Sequence, residues 1–178
     1  MNSTNIPEDI HITRQEKPNI LELTALFEMV FNELDVNDQS RFDKDQNGQE
    51  LSEWFDIQEL NKYIQHGRLI EARDIYGHLV GAIFIGKQNP LTWPDGHKVE
   101  VFILGVNPKF RGKGIGTNLI REAEKQAKEM GARKIIVNTH TSLEADQRYY
   151  KKLGYSSIGT LTNYYDNGSA VFYSKELV

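Results

Sequence analysis

Three features of the sequence could take part in chemistry: a glycine-rich loop, a glutamate and a tyrosine. The loop reads Val106-Asn107-Pro108-Lys109-Phe110-Arg111-Gly112-Lys113-Gly114-Ile115-Gly116. It lies between an apolar run at residues 99–106 and a run with helical spacing at residues 118–130. Glycine lets a backbone approach an anion closely, and a helix N-terminus presents N–H groups with a partial positive charge. A strand, a glycine loop and a helix in this order therefore predict a phosphate-binding loop.

Two common nucleotide-binding motifs do not fit this loop. The dinucleotide fingerprint needs G-x-G-x-x-G, whereas Gly112, Gly114 and Gly116 give G-x-G-x-G. The nucleoside-triphosphate loop ends in Gly-Lys-Ser or Gly-Lys-Thr, and neither tripeptide occurs in the sequence. The phosphate ligand is therefore expected to belong to another class.

The pattern that remains is Arg-x-x-Gly-x-Gly preceded by Val-x-Pro. It resembles the acetyl-coenzyme A motif of the GCN-five-related N-acetyltransferase superfamily (GNAT). The resemblance implies that backbone N–H groups of the loop hold the pyrophosphate of acetyl-coenzyme A (acetyl-CoA). The residues concerned are Arg111, Gly112, Lys113, Gly114, Ile115 and Gly116. The alternative is a surface turn rich in glycine and lysine.

The strand before the loop contains a glycine, Gly105, among apolar residues. A glycine inside a strand predicts a β-bulge or the close approach of a ligand. The alternative is a glycine that lets a helix pack closely. In the superfamily the backbone of this strand binds the acetyl carbonyl and the pantetheine arm. The resemblance therefore implies that Leu104, Gly105 and Val106 bind acetyl-CoA through their main chain.

The tyrosine is Tyr150, which precedes Gly154 by four residues and is followed by the aromatic Tyr155 after that glycine. GNAT enzymes often have a tyrosine at this place, where it protonates the departing thiolate. A phenol suits this task because its pKa near 10 keeps it protonated at neutral pH. The same helix has Leu143 and Asp146 where the superfamily often has Asn and Ala. The alternative role for Tyr150 is packing.

The glutamate is Glu100, six residues before Val106. Histone-type members of the superfamily have their catalytic glutamate at the same distance from the same valine, so the resemblance implies a general base. An alkylamine with a pKa of about 10.4 is a free base in only roughly one molecule in a few thousand at pH 7. An N-terminal α-amine with a pKa near 8 needs a base much less. The alternative, a structural glutamate paired with a neighbour, fits the sequence equally well.

Composition limits the function classes. A chain of 178 residues fits a single domain over residues 1–178, and its net charge of −4 does not favour nucleic acid or anionic membranes. No apolar run is long enough to span a membrane, and the start of the chain has no signal-peptide pattern. With no cysteine, a disulfide or a cysteine acyl-enzyme is excluded. The default expectation is a cytoplasmic protein.

The hydrophobic pattern predicts a mixed α/β domain. Strands are expected near residues 10–13, 69–73, 79–87, 99–106, 134–139, 155–161 and 170–175, and helices after Pro18, at 52–64, at 118–130 and at 144–153. Gly67 is expected to end the second helix and Gly131 the third, with a turn at residues 166–168. The predicted fold is a three-layer GNAT-like domain with a mixed, mostly antiparallel central sheet flanked by helices.

An acidic stretch precedes the second predicted strand. Between residues 31 and 59 the sequence has nine acidic residues and only two basic ones, Arg41 and Lys44. Residues 43–48 resemble the start of an EF-hand, but position 12 is Trp54 instead of glutamate, so no metal is expected. In the GNAT fold this stretch borders the acceptor site, where acidic side chains would attract a cationic amine. A solvated loop explains the acids as well.

These observations predict an N-acetyltransferase that transfers acetyl from acetyl-CoA to a primary amine by direct attack in a ternary complex. The expected acceptor is a small cationic amine, and the alternative acceptor is a protein or peptide amine. A different class, a non-catalytic acyl-CoA-binding regulatory module, is kept as a rival. The sequence leaves a homodimer open.

Overall fold

The computed structural model describes residue 7 and residues 9–37, 64–65, 67–87, 97–165 and 168–178, with the backbone alone described at 31–37 and 165. The strands are β1 (Ile10–Gln15), β2 (Gly67–Asp74), β3 (Leu79–Gly86), β4 (Lys98–Val106), β5 (Lys134–His140), β6 (Ser156–Tyr165) and β7 (Gly168–Glu176). The helices of the described residues are α1 (Ile20–Asn37), α2 (Ile115–Glu129) and α3 (Glu144–Lys152), and a 3-10 turn lies at Pro108–Phe110. Within this part of the chain, no helix is long and apolar enough to cross a membrane.

The strands form a seven-stranded sheet in the order β1-β2-β3-β4-β5-β7-β6. Neighbouring strands run antiparallel, except that β4 and β5 are parallel. Parallel neighbours need a long crossover, which α2 provides between β4 and β5. The prediction of a mixed, mostly antiparallel sheet is confirmed.

Each face of the sheet has its own apolar core. On one face α1 packs its buried residues Leu23 and Phe27 against Ala82, Phe84 and Ile103. On the other face α2 packs against the alternate residues of the same strands, among them Ile70, Ile83, Ile85, Val99 and Val101. Because side chains alternate across a strand, this division shows that α1 and α2 lie on opposite faces of the sheet. The result is the predicted three-layer arrangement.

Strands β4 and β5 pair over a short distance. Their register covers Lys98↔Lys134, Val99↔Ile135 and Glu100↔Ile136, after which β4 continues to Val106 without a partner on β5. A β-bulge follows at once, because Ile85 faces Val101 while Phe84 faces Ile103. A bulge bends its strand and increases the local twist. The bulge at Phe102 thus lies just beyond the end of the β4–β5 ladder, and the stretch beyond Glu100 where the two strands no longer pair is called the gap.

Some predicted helix boundaries and glycine roles differ from the structure. The third predicted helix is α2, which begins at Ile115 rather than at residue 118. Gly131 ends it as expected, with φ of +81° and a hydrogen bond of 3.0 Å from the Ala132 N–H to the Ala127 carbonyl. Gly67 is the first residue of β2. The predicted helix at 52–64 lies outside the described residues except for Ile64, which is helical. The turn at 166–168 likewise lies outside them except for Gly168.

Candidate functional site

The glycine loop folds back on the end of β4. The Asn107 side chain accepts a hydrogen bond from the Lys109 N–H at 3.0 Å, which caps the 3-10 turn that starts at Pro108. Arg111 follows in an extended conformation, and its Nε donates to the Val106 carbonyl at 3.3 Å. These bonds fix the path of the chain between the last residue of β4 and the glycines.

The glycines then open the N-terminus of α2. Gly112 and Gly114 have φ of +75° and +78°, a left-handed conformation that side chains other than glycine rarely adopt. Gly114 is the N-cap and gives α2 no side-chain cap, and the first helical bond runs from Asn118 N–H to Gly114 O at 3.0 Å. The N–H groups of residues 115–117 therefore have no acceptor within the helix.

The loop has the chemistry that a pyrophosphate needs. It combines helix N–H groups with Arg111 and Lys113, and residues 107–117 contain no acidic side chain. A methyl group on Gly112 would meet no atom within 4 Å, whereas one on Gly116 would lie 3.1 Å from Tyr149 Oη. The space above Gly112 is thus open, while a side chain at Gly116 would crowd the Tyr149 hydroxyl.

The main chain of residues 104–106 faces the gap between β4 and β5. On one side these residues pair with β3, as Ile83↔Leu104, Ala82↔Gly105 and Gly81↔Val106. On the other side the ladder with β5 has already ended at Glu100. An unpaired strand edge presents N–H and C=O groups to an extended partner. The gap can therefore accept an extended ligand arm next to the glycine loop.

Gly105 is explained by helix packing. A Cβ at this position would lie 2.9 Å from Phe27 Cε1 and 3.3 Å from Val30 Cγ2, both in α1. Gly105 pairs in register with Ala82, and the bulge lies three residues earlier at Phe102. The prediction of a bulge at Gly105 is thus wrong, because the glycine provides room for α1 on the opposite side of the sheet from α2.

Glu100 lies at the narrow end of the gap. Its residue is 8% exposed, and its Oε1 accepts a hydrogen bond from Asn138 Nδ2 of β5 at 3.3 Å. Burial raises the pKa of Tyr164, and the negative charge of Glu100 raises it further. Tyr164 also packs edge-on against Phe172 of β7, with ring centroids 5.2 Å apart. Glu100 therefore lies in a cluster with an amide and two aromatic rings, and sequence reasoning had identified only the glutamate.

Tyr150 occupies the end of α3 and is 7% exposed. Its carbonyl accepts the Tyr155 N–H at 3.1 Å, and Gly154, with φ of +87°, donates to the Lys151 carbonyl at 3.1 Å. These two bonds form a Schellman motif, in which the residues at the positions of Tyr150 and Tyr155 pack together. Their rings are 5.9 Å apart. The spacing from tyrosine to glycine to aromatic residue is therefore required by the way that the helix ends.

Tyr149 is a candidate that the sequence did not reveal. Its hydroxyl oxygen is buried next to Gly116 and meets no partner in hydrogen-bond geometry within the described residues. Burial raises the pKa of Tyr149 to about 12, and the nearby Thr117 hydroxyl opposes that rise only in part. A phenol of this kind stays protonated at all physiological pH values. Only the three-dimensional packing brings it to the start of α2.

The predicted residues other than Tyr150 thus occupy two regions joined by the gap, whereas Tyr150 lies in the apolar core cluster on the α2 face of the sheet. The loop residues and residues 104–106 lie together at the wide end, and Glu100 lies at the narrow end. Glu100 lies four positions before Leu104, which corresponds to about 13 Å along an extended strand. The acidic stretch at 38–59 falls outside the described residues, and Glu33 and Asp35 are described only in their backbone. Within the described part of the chain, no group of three or more His, Asp or Glu side chains is placed to hold a metal ion.

Comparison with known proteins gives one family. The profile of the acetyltransferase (GNAT) family matches residues 28–155. An acetyltransferase of Pectobacterium atrosepticum is 33% identical over 89 residues, which are 50% of this chain and 58% of that protein. The chain therefore spans little more than half the length of this curated relative.

Solved structures have the same fold at low identity. A GNAT acetyltransferase of Elizabethkingia anophelis with acetyl-CoA bound has a TM-score of 0.68 and 16% identity, covering 96% of this chain and 100% of that one. The ribosomal-protein-S18-alanine N-acetyltransferase of Escherichia coli has a TM-score of 0.69 and 13% identity, covering 94% of each chain. These likenesses confirm the predicted fold.

Proposed function

The chain belongs to the acetyltransferase (GNAT) family, and we propose that it is an N-acetyltransferase that transfers acetyl from acetyl-CoA to a primary amine. The observation that carries the proposal is the open N-terminus of α2 beside the gap between β4 and β5. This arrangement offers an anion site and an unpaired strand edge in direct continuity. A ligand with a pyrophosphate at one end and an extended arm at the other fits both.

The coenzyme is held mainly through backbone atoms. The N–H groups of residues 112–116, with the cations of Arg111 and Lys113, bind the pyrophosphate. The main chain of Leu104, Gly105 and Val106 binds the arm along the edge that β5 leaves unpaired. A backbone N–H of this strand that is directed at the thioester oxygen stabilises the negative charge that develops there during transfer.

Acetyl-CoA supplies an activated acyl carbon, and the protein handles the protons. The acceptor ammonium first loses one proton, which Glu100 accepts. The neutral nitrogen then forms the new C–N bond while the C–S bond breaks, and Tyr150 gives a proton to the departing sulfur. The nitrogen loses its second proton as the amide forms, and Tyr150 is reprotonated. The net change is one amide, one thiol and one proton released to water.

The separation along β4 favours a water relay. Glu100 lies four positions before Leu104, which corresponds to about 13 Å along an extended strand, so water between its carboxylate and an amine near residues 104–106 is part of the proposal. Water in the gap can carry the proton over this distance. The energetic need is large for an alkylamine, because deprotonation at pH 7 costs about 4 to 5 kcal/mol, and small for an N-terminal α-amine at about 1 kcal/mol. A role for Glu100 thus favours an alkylamine acceptor.

A small cationic amine is the preferred acceptor for a second reason. The acids between residues 31 and 59 give that part of the chain a strong negative charge, which attracts cations. A peptide terminus remains the alternative acceptor. The rival from another class is a module that binds acyl-CoA without catalysis, and turnover on an amine separates it from an enzyme.

The experiment combines a panel screen with a matched pair of variants. The full chain is incubated with acetyl-CoA and polyamines, aminoglycosides or peptides, and thiol release and product mass are measured. Gly114→Glu adds bulk and negative charge to the anion site, and we expect acetyl-CoA affinity to fall by more than about 100-fold. Gly131→Glu is the control, because Gly131 has a similar φ of +81° at the other end of the same helix, about 25 Å away.

The outcomes distinguish the proposed coenzyme site from a non-catalytic module and from a general effect on the helix. Normal acetyl-CoA affinity in Gly114→Glu would overturn the coenzyme site. Tight binding of acetyl-CoA with no acetylation of any amine in the panel would favour the non-catalytic module. Equal loss of affinity in both variants would indicate a general effect on the helix instead of a local one.

A further inference from the structure

Asn138 on β5 donates a hydrogen bond to the Glu100 carboxylate at 3.3 Å. We infer that Asn138 is a positioning residue, which orients the Glu100 carboxylate and keeps it ionised so that it can accept the acceptor's proton. The inference rests on the proposed acetyl transfer. It assigns a task to a residue of β5, a strand for which the sequence suggested no functional side chain.

The position of Asn138 follows from the divergence of the two strands. Glu100 faces Ile136 in the last pair of the β4–β5 ladder, and Asn138 is two residues further along β5. Side chains two residues apart point to the same face of a strand. At this point the backbones no longer pair, and the 3.3 Å bond from Asn138 Nδ2 to Glu100 Oε1 connects the strands instead. This hydrogen bond thus holds the Glu100 carboxylate at the point where the β4–β5 ladder ends.

The strand that carries Asn138 is firmly held on its other side. β5 pairs with β7 along its whole length, from Lys134↔Glu176 to His140↔Ala170. Asn138 faces Phe172 in this register, and Tyr164 packs against the Phe172 ring. Pairing with β7 on one side therefore fixes the backbone that carries Asn138.

A neutral amide is well suited to this task. A hydrogen bond to a carboxylate stabilises its charged form and lowers its pKa. A lysine or arginine at the same place would do so more strongly, but it would also repel a cationic acceptor and weaken the carboxylate as a base. Asn138 has no charge, so it orients Glu100 and leaves its net charge of −1 in place.

The neighbouring strands contribute few charged or titratable residues to this face within the described residues, and α1, which packs on the same face, carries Glu22 and Glu28 there or at its edges. Lys98 on β4 and Lys134 and His140 on β5 share the face by strand alternation, and Lys134 forms an ion pair with Glu176 at 2.7 Å. Tyr164 on β6 is the group whose pKa the charge of Glu100 raises, so it stays neutral in the range where a carboxyl titrates. β3 and β7 place Gly86, Ser174 and Phe172 there, none of which titrates.

The first test is the pH profile of kcat/KM with one alkylamine acceptor. Asn138→Asp replaces the donor by a second carboxylate, and we expect the midpoint of the acid limb to rise by at least about one pH unit. Asn138→Ala should raise it by about half a unit, which lowers kcat/KM about three-fold below the midpoint, with recovery at higher pH. Gln126→Glu, the same amide-to-acid change at a residue 6% exposed at the far end of α2, should leave the midpoint unchanged.

The second test is a double-mutant cycle between Asn138 and Glu100. In a Glu100→Gln background, Asn138→Ala should have no further effect on kcat/KM, because a positioning residue acts through its partner. An independent readout is the ¹³C resonance of the Glu100 carboxyl in the protein without coenzyme, identified by its loss in Glu100→Gln. Its titration midpoint should be higher in Asn138→Ala than in the parent chain.

The outcomes separate this inference from the proposed function. Equal losses at all pH values in Asn138→Asp, or an unchanged Glu100 midpoint in Asn138→Ala, would overturn the inference while leaving acetyl transfer intact. A parent chain that acetylates no amine would overturn the proposed function and this inference with it.

Discussion

The replacement Gly105→Ala tests what positions β4, the strand on which the coenzyme site depends. The new Cβ would lie 2.9 Å from Phe27 Cε1, 3.0 Å from Phe27 Cδ1 and 3.3 Å from Val30 Cγ2. Carbon atoms normally pack at about 3.5 to 4.0 Å, so the ring or the strand must move by more than half an ångström. Phe27 is fully buried and packs against Phe84 at a centroid distance of 6.3 Å, which leaves the ring little room.

The expected cost is that of an overpacked core. Inserting a methyl group into a close-packed interior costs about 1 to 3 kcal/mol. For a chain of this size, each kcal/mol lowers Tm by about 2 to 4 °C. Gly105→Ala should therefore lower Tm by about 2 to 12 °C and shift the urea midpoint accordingly. The backbone at this position is regular strand, so no strain from left-handed φ adds to the cost.

A double-mutant cycle assigns the cost to the helix contact. Phe27→Leu alone should destabilise by roughly 1 to 2 kcal/mol, and combined with Gly105→Ala the loss should be about 1 kcal/mol smaller than the sum. Gly112→Ala is the control, because its φ of +75° makes alanine costly while no atom lies within 4 Å of the new methyl. It should be additive with Phe27→Leu.

One result would refute this reasoning. If Gly105→Ala unfolds at the parent midpoint but binds acetyl-CoA much more weakly, the glycine serves ligand approach and not the packing of α1. Additive losses in the cycle with Phe27→Leu would lead to the same conclusion.

Three further predictions concern side chains around α2 and α3. Lys175→Met should lower the free energy of unfolding by about 1 to 2 kcal/mol in urea. The reason is that Lys175 Nζ lies 2.9 Å from both Glu124 carboxylate oxygens, and Tyr155 donates to the same carboxylate at 3.1 Å. An unchanged urea midpoint would contradict this. Tyr149→Phe should flatten the loss of stability at alkaline pH. The pKa of Tyr149 in the folded protein, about 12, exceeds the unfolded value near 10. This tyrosine therefore contributes stability below pH 10 that is lost between about pH 10 and 12, with a slope of up to about 1.4 kcal/mol per pH unit. Equal slopes with and without the hydroxyl would contradict this. Tyr150→Phe should lower kcat about 100-fold with little change in acetyl-CoA affinity, while Tyr155→Phe, in the same aromatic cluster, serves as the control and should retain kcat. Full turnover in Tyr150→Phe would remove it from the chemistry.

Local patterns in the sequence were sufficient for the elements around the glycine loop. The apolar run of β4, the left-handed glycines and the helical spacing of α2 are determined by neighbours in the chain, so strand, loop and helix could be predicted in order. Gly131 was recognised as a helix stop for the same reason. The start of α2 was placed three residues late, since the last glycines of the loop are already part of the first helical turn.

Contacts between distant parts of the chain could not be predicted. Gly105 faces Phe27, 78 residues earlier, and Asn138 donates to a glutamate 38 residues earlier. Tyr149 reaches Gly116 only because α3 packs over the start of α2. None of these pairs has a signature in sequence spacing, and each depends on which face of the sheet a side chain occupies. The bulge at Phe102, which decides that face for the end of β4, is likewise set by pairing with β3.

The two sequence motifs differ in what they prove about function. The spacing Tyr150-x-x-x-Gly154-Tyr155 is sufficient to form a Schellman motif at the end of α3. A purely structural role therefore explains this spacing without any catalytic role. The glycine loop has no such structural explanation at Gly114. Its left-handed N-cap gives up the side-chain bond that serine or aspartate would supply, and it leaves the first N–H groups of α2 without a helical acceptor. A fold alone would favour a capped helix, so an uncapped one next to an open strand edge is the stronger argument for a ligand.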